Sequence, residues 1–407
     1  MTFISMKDAS GKEITLGPPE NDRGDPFELS VRVAQALQAG QYTVTWRTAA
    51  SDGHPSHGSF SFVVLTEMAP PGHVAVPQAG AVTDMFGSDA AAAAASMKAE
   101  NGEEADAASS AGNSLARTFS FVGLLALIGV VAFRTLVLPR ARGMNPELST
   151  LMARRAAVLG IAASALVIAS AFTRIFLESQ MMSAMPGMRT MSMTDMALHT
   201  RWGFALQLEL GAAVVALVSL ALAVRRVRGA WLVASISAIV LAVTPALAGH
   251  AAASPRFTSL MIVSDFLHVL GGGSWLGSLL AVMVVGIPLS LTLDGAERWS
   301  SVASLVNSFS PIALISAAVV VVSGLIASWV HVEHLPNLWQ TAYGQILLAK
   351  LFLVAIAFTI GAYNFRRVQP QLLTEIGSAR LKRSTALELS VGFLILLVTG
   401  LLTGVSP

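Results

Sequence analysis

Eight apolar runs, each long enough to cross a lipid bilayer, occupy the chain from Leu115 onward and leave it few choices of fold. A hydrocarbon core about 30 Å thick is crossed by roughly 20 helical residues. The runs fall near residues 115–138, 155–177, 202–224, 230–249, 259–287, 308–330, 344–365 and 386–405. Inside lipid every backbone N–H and C=O must be satisfied within the protein, so runs of this length read as helices. Composition agrees: of 407 residues, 54% are hydrophobic and 12% charged, far from the balance of a soluble globular chain. The expected fold class is an all-α polytopic membrane bundle. The fifth run is the longest, and a re-entrant path is the alternative to one continuous span.

The net charge of +2 does not mark an anionic partner, because the basic residues lie between the apolar runs rather than in a patch. One set of connections holds Arg140, Arg142, Arg154, Arg155, Arg225, Arg226, Arg228, Arg298, Arg366, Arg367, Arg380, Lys382 and Arg383, while the other holds Arg174, Arg189, Arg201 and Arg256. The positive-inside rule assigns the first set to the cytoplasm and sends both termini to the extracytoplasmic side. Trp202, Trp329 and Trp339 at the outer level, with Trp231 and Trp299 at the inner, fit an aromatic belt.

In front of the spans, residues 1–65 read as a small extracytoplasmic β-domain. Phe27, Leu29, Val31 and Val33 alternate, as do Tyr42, Val44 and Trp46, and Phe60, Phe62 and Val64, the pattern of a half-buried antiparallel sheet. Ser51 to Gly58 reads as the turn between the last two strands. Residues 66–114, rich in Ala, Gly, Pro and acidic side chains, read as a flexible linker, so the expected organisation is 1–65, 66–114 and a membrane domain over 115–407. Met1 to Glu20 is polar and lacks an apolar h-region. An outward domain of this size predicts that a natural leader precedes it.

Several chemistries are absent from the sequence. There is no cysteine, which removes disulfides and thiolate metal sites, and no GxxxxGK[ST] loop that would power transport by nucleotide hydrolysis. No catalytic constellation stands out, and an enzyme is not expected. The densest signal is instead Met181, Met182, Met185, Met188, Met191, Met193 and Met196, seven of the 16 methionines, followed by His199. Thioether sulfur is soft, neutral and needs no deprotonation, so such a run favours Cu(I) over zinc, magnesium or calcium. An apolar lip or Met-rich packing surface is the structural alternative. Asp52, His54 and His57 form a second group. In an extended segment a D-x-H step puts both side chains on one face, and carboxylate with imidazole suits Cu(II); a polar surface loop is the alternative.

Ionisable residues inside spans form the third signal, since each costs about 2.5–3.5 kcal/mol at the bilayer centre on insertion scales. Asp265 and His268, three apart, share a helix face. Counted from the outer ends, His268, Glu209 and Lys350 lie at roughly 9–14 Å depth at 1.5 Å per residue, which predicts a polar pocket in the outer half of the bundle. His250 ends the fourth span, and His331, Glu333 and His334 end the sixth. Glu388, near the inner end of the last span, reads as a snorkelling or capping group.

These residues resemble two known families. The segment Gly40-Gln41-Tyr42-Thr43-Val44-Thr45-Trp46-Arg47, with Ser51-Asp52-Gly53-His54-Pro55 and Gly58-Ser59-Phe60-Ser61-Phe62, resembles the C-terminal part of CopC, a periplasmic copper-binding β-sandwich. The spans, with Gly249-His250-Ala251, Asp265-Phe266-Leu267-His268 leading to Trp275, and Tyr343 to Lys350, resemble CopD, its inner-membrane partner. The resemblance implies copper handling at the bacterial inner membrane, described for the family as uptake toward the cytoplasm, with Cu(I) or Cu(II) as cargo and a periplasmic copper chaperone as a candidate partner. It also implies that Asp52 and His54 match the Asp and His ligands of the CopC Cu(II) site. This chain departs from that site by lacking its N-terminal histidine and the opening strands. The expected ligands are therefore Asp52, His54, Met182, Met185, Met188, Met191, Met193, Met196, His199, His250 and His268, with Glu209, Asp265 and Lys350 forming a transport pocket. A haem-ligating electron-transfer protein, and a copper sensor or chaperone dock without transport, are the competing readings; bis-histidine haem ligation needs partners at matching depth, and His250 and His268 lie at different depths.

Overall fold

The computed structural model describes residues 2–21, 29–49, 55–64, 111–183, 198, 201–249, 257–331, 335–371 and 375–405. The chain forms two compact units, one built on β-strands and one helical.

In the β unit, strands β1 (Thr2–Asp8), β2 (Glu13–Ile14), β3 (Glu20–Asn21), β4 (Leu29–Ser30), β5 (Gly40–Ala49) and β6 (Pro55–Val64) make a four-stranded antiparallel sheet of order β2-β1-β5-β6 and a separate β3-β4 pair. Met6, Ile14 and Tyr42 form its core with Val44, Phe62 and Val64 against them. Tyr42 and Phe62, directly opposed in the β5–β6 ladder, stack with centroids 5.7 Å apart. The β1–β2 turn is closed by Asp8, whose Oδ1 accepts from the Ser10 hydroxyl at 2.6 Å and from the Ser10 and Lys12 N–H groups, both at 2.9 Å. Those donors, the Ser10 hydroxyl first, hold its carboxyl below the usual carboxylate range.

Two expectations change here. Pro55 to Gly58 is strand rather than turn: β6 begins at Pro55, His57 pairs with Arg47, and Gly58 faces Trp46. A Cβ on Gly58 would lie 2.7 Å from the Trp46 ring, so this glycine makes room for a cross-strand indole. The alternating stretch from Phe27 is mostly not strand either, since β4 is two residues long and Val33 contributes an isolated bridge to Leu16.

The helical unit carries eight helices long and apolar enough to span a membrane: α1 (Ala111–Arg140), α2 (Pro146–Gln180), α3 (Trp202–Val224), α4 (Ala230–Ala248), α5 (Thr258–Ser290), α6 (Gly295–Val330), α7 (Ala342–Gln371) and α8 (Arg380–Leu402). Each expected span is present. Helices α2 and α6 begin earlier than their apolar runs, by about two and a half and three and a half turns, because helical hydrogen bonding continues into the polar interface, where hydropathy gives no signal. The fifth run is one continuous helix rather than a re-entrant loop, and its length is absorbed by two π-helical segments, Gly273–Gly277 and Val282–Gly286.

Helix α1 is the centre of this unit, with Leu127, Val130, Phe133 and Val137 fully buried. Its approach to α5 is set by glycine. A Cβ on Gly129 would run into the backbone of Gly277, one on Gly277 into the backbone of Leu125, and one on Gly273 would sit 2.6 Å from Ile128. Small residues at such crossings let backbones touch and gain dispersion that bulkier side chains would forbid. The other end of the scale is α7, only 11% of whose most apolar window is buried, against 67% for α1. Helix α3 ends in a Schellman turn: Val227 N–H donates to Leu222 O at 3.1 Å and Arg226 N–H to Ala223 O at 2.9 Å. Arg226, not glycine, occupies the left-handed position at φ 61°, which costs an L-residue roughly 1–2 kcal/mol.

Substituting Gly277 with Val is expected to destabilise the detergent-solubilised protein by about 3 kcal/mol or more, the upper end of the overpacking range, whereas Gly211→Val, where nothing lies within 4 Å of the new Cβ, stays within about 0.5 kcal/mol, as open surface positions do. Equilibrium unfolding of both variants checks this; equal loss would mean that the glycine contact is not what holds α1 to α5.

Candidate ion pathway in the helical unit

One polar cluster of the helical unit is organised around His268 on α5. Its Nδ1 lies 3.2 Å from the Val320 carbonyl and 3.1 Å from Ser323 Oγ, both on α6. A carbonyl can only accept, so these partners assign the ring proton to Nδ1. Ser323 Oγ donates to Val319 O at 2.6 Å and keeps its lone pairs for the imidazole. In the neutral ring this tautomer leaves the Nε2 lone pair available, the form that ligates a soft or borderline cation. Ser264, a turn before His268, donates to Ser323 O at 2.9 Å, which fixes α5 and α6 in register at this point. Gly324 leaves the ring its space: a Cβ there would come within 3.4 Å of His268 Cε1.

Helix α7 adds Lys350, in electrostatic range of both Asp265 and His268, and Tyr343, in range of Asp265. Lys350 thus stands within electrostatic range of two of the expected pocket residues, Asp265 and His268. Tyr343, Lys350, Ala357 and Asn364 recur every seven residues, close to two full helical turns, so they lie along one face. That face is turned inward, since Ala357 is fully buried.

Glu209 joins a different set. Its Oε2 accepts from Arg174 Nη1 at 3.1 Å, and its Oε1 from Ser120 Oγ at 2.9 Å. The group is 7% exposed and ties α3 to α2 and α1. The shared depth of Glu209, His268 and Lys350 predicts one pocket, but depth says nothing about which helices adjoin, and Arg174 claims the carboxylate. Arg174 is correspondingly an internal partner rather than a residue of an outer connection.

A second cluster draws on two of the same helices, α5 and α7. Glu388 on α8 is 4% exposed; its Oε1 accepts from Trp275 Nε1 at 3.3 Å and its Oε2 from Asn364 Nδ2 at 3.0 Å. The burial and these two bonds replace the expectation of a snorkelling or capping role. Trp275 stacks on Phe358 with centroids 5.0 Å apart, and Asn364 Oδ1 is buried with no hydrogen-bond partner among the described residues. No cation pairs with Glu388 among the described residues. Trp275 stands within the first π segment of α5 and Asn364 opens a π segment at the end of α7; such bulges recur at functional sites. The sequence names Trp275 only within a family motif and does not single out Asn364 as a candidate site residue; the seven-residue interval from Lys350 to Ala357 to Asn364 is the signal that would have found Asn364.

Most of the expected ligands lie outside the described residues: Asp52, His54, Met185, Met188, Met191, Met193, Met196, His199 and His250, as do Glu333 and His334 beyond the sixth span. Met182 and His331 lie just past the spans α2 and α6, where the helical backbone continues to Ser183 and His331. Among the described residues no group of three or more His, Cys, Asp or Glu converges as a metal site.

Comparison with known proteins adds identity to this geometry. The CopC domain family matches residues 1–65, the N-terminal domain of copper resistance protein D-like proteins matches residues 107–255, and copper resistance protein D matches residues 303–402. The copper transport protein CutJ of Bacillus subtilis (strain 168) is 25% identical over 411 residues, an alignment covering 98% of this chain and 67% of the relative. No solved structure matches. With a CopC match in front of the spans, copper resistance protein D matches over 107–255 and 303–402, and a copper transport protein similar over 98% of this chain, the chain combines CopC and copper resistance protein D regions in one polypeptide.

Proposed function

We propose that this protein carries copper across the bacterial inner membrane toward the cytoplasm, after capture on the extracytoplasmic side by the Met181–His199 segment and the Asp52–His54 group. The observation that carries the reading is His268: an imidazole inside a spanning helix, with Nδ1 committed to α6 and Nε2 left as a donor. The family matches and the similarity to a copper transport protein support copper as the cargo. Thioethers and imidazole are the donor types that accept Cu(I) from one another without a change of charge on the ligand. Met182, Met185, Met188, Met191, Met193, Met196 and His199 gather the ion; His250 and His268 pass it inward.

Asp265 and Lys350 set the electrostatics of that step. A lone lysine near the path would repel a cation, and Asp265 offsets it, so the site stays close to neutral until copper arrives. Glu388 plays a different part. Carboxylate oxygen is a hard donor and a poor match for Cu(I), but a buried carboxylate held by two neutral donors is suited to take up and release a proton. We assign it the proton exchange that balances the charge of copper in the inner half.

Three outcomes are expected. His268→Gln in proteoliposomes should lower isotopic copper uptake at least about tenfold, equivalent to 1.4 kcal/mol on the rate-limiting barrier; undiminished uptake by a folded variant would remove His268 from the path. Replacing Met185, Met188 and Met191 with Leu should preserve folding and reduce cellular copper accumulation, and a wild-type level would reject the capture role. Glu388→Gln keeps an amide oxygen to accept from Trp275 and offers an N–H to Asn364, whose Oδ1 has no other partner among the described residues, while losing the titrating group, so uptake should stop responding to an imposed pH gradient while copper binding persists.

A further inference from the structure

The arginine-rich ends of α1, α2, α3 and α4 enclose a cleft of about 370 Å³ that the copper reading does not use. Its wall holds Arg134 of α1, Arg154 and Ser149 of α2, Arg226 of the α3–α4 turn and Trp231 of α4, and no carboxylate is among the lining residues. Three guanidinium groups around one concavity repel each other unless an anion lies between them. Arg134 sharpens the requirement. Its guanidinium stands 5.9 Å over the Trp231 ring, and its Nε is buried without a hydrogen-bond partner among the described residues. A buried N–H left unmade is costly, and one on a cation more so. Arg226 reaches the cleft from the left-handed position of the Schellman turn, where glycine is the unstrained choice; a side chain kept there against backbone preference has a use for its head group.

The chemistry matches a phosphate. Guanidinium forks bind phosphate oxygens bidentately, and basic pockets between spanning helices bind anionic lipid head groups. Arg134 lies six residues inside the end of α1, about 9 Å along the helix, where head groups meet hydrocarbon, and the apolar residues Leu138 and Val227 complete the wall. We propose that this cleft holds the phosphodiester of an anionic phospholipid, with Arg134 as its deepest ligand and Arg154 and Arg226 at its rim. The site joins four helix ends through one bound lipid.

Native mass spectrometry of the delipidated full chain, titrated with phosphatidylglycerol, phosphatidylcholine or inorganic phosphate, tests this. The wild type is expected to retain one phosphatidylglycerol at least tenfold more tightly than phosphatidylcholine. Arg134→Gln should lose most of that preference. Arg366→Gln, an exposed arginine at the same end outside the cleft, should keep it. If Arg134→Gln does not fold, the double variant Arg154→Gln and Arg226→Gln, at two exposed positions, decides. Equal retention of both lipids by the wild type, or an undiminished preference in the double variant, overturns the site. Inorganic phosphate that displaces phosphatidylglycerol at equal concentration overturns the lipid in favour of a free anion. None of these readings depends on copper transport.

Discussion

Everything in the helical unit is arranged around the meeting of α1 and α5 at Gly129 and Gly277, where neither residue has room for a Cβ. In lipid, helices gain nothing from burying apolar surface that lipid would cover equally well, so close packing and internal hydrogen bonds must hold them together. Two backbones in contact supply the first. They also fix α5 relative to the most buried helix of the bundle, and α5 carries Asp265, His268 and Trp275. The π segment that contains Gly277 also contains Trp275, so the residue that secures the crossing and the residue that holds Glu388 belong to one turn.

Polar groups inside the bundle are then satisfied in separate sets rather than in one pocket. Glu209 is neutralised by Arg174 and Ser120 between α1, α2 and α3, and Glu178 accepts from Asn113 at 2.9 Å; these close the bundle internally. His268 and Glu388 differ from Glu209 in having neutral hydrogen-bond partners on neighbouring helices, as Glu178 also does, and a donor atom or charge left to spend. Buried ion pairs complete structure, while buried single groups are where exchange with a mobile ion is possible. His268 and Glu388 are both tied to α5, the first as one of its residues and the second through Trp275.

The spans, their order and the basic asymmetry between the two faces were legible in the sequence, because hydropathy and charge are properties of single positions. So were β5 and β6, whose alternation is strict around Tyr42 and Phe62. What escaped depends on partners. Glu209 and His268 sit at similar depth, and nothing in either run says that Arg174 adjoins one and Ser323 the other. Gly129 and Gly277 look like any glycines in apolar runs until the helices are seen to cross there. Pro55 to Gly58 reads as a turn by composition, yet the ladder with β5 and the Trp46 indole over Gly58 override local preference. Glu388 reads as a surface group until Trp275, far away in sequence, proves to be its donor.

The unequal burial of the spans has a consequence for how the two polar sets can respond. Each is completed by one helix anchored in the middle of the bundle and one on its margin: α5 supplies His268 and Trp275, while α6 and α7, with the largest lipid-facing shares, supply Ser323, Lys350 and Asn364. Bilayer thickness and lateral pressure act on the margin first, and the glycine crossing shields the middle from them. The membrane is thus mechanically connected to one half of each set, and the geometry around His268 and Glu388 is tuned by the surrounding lipid as well as by the protein.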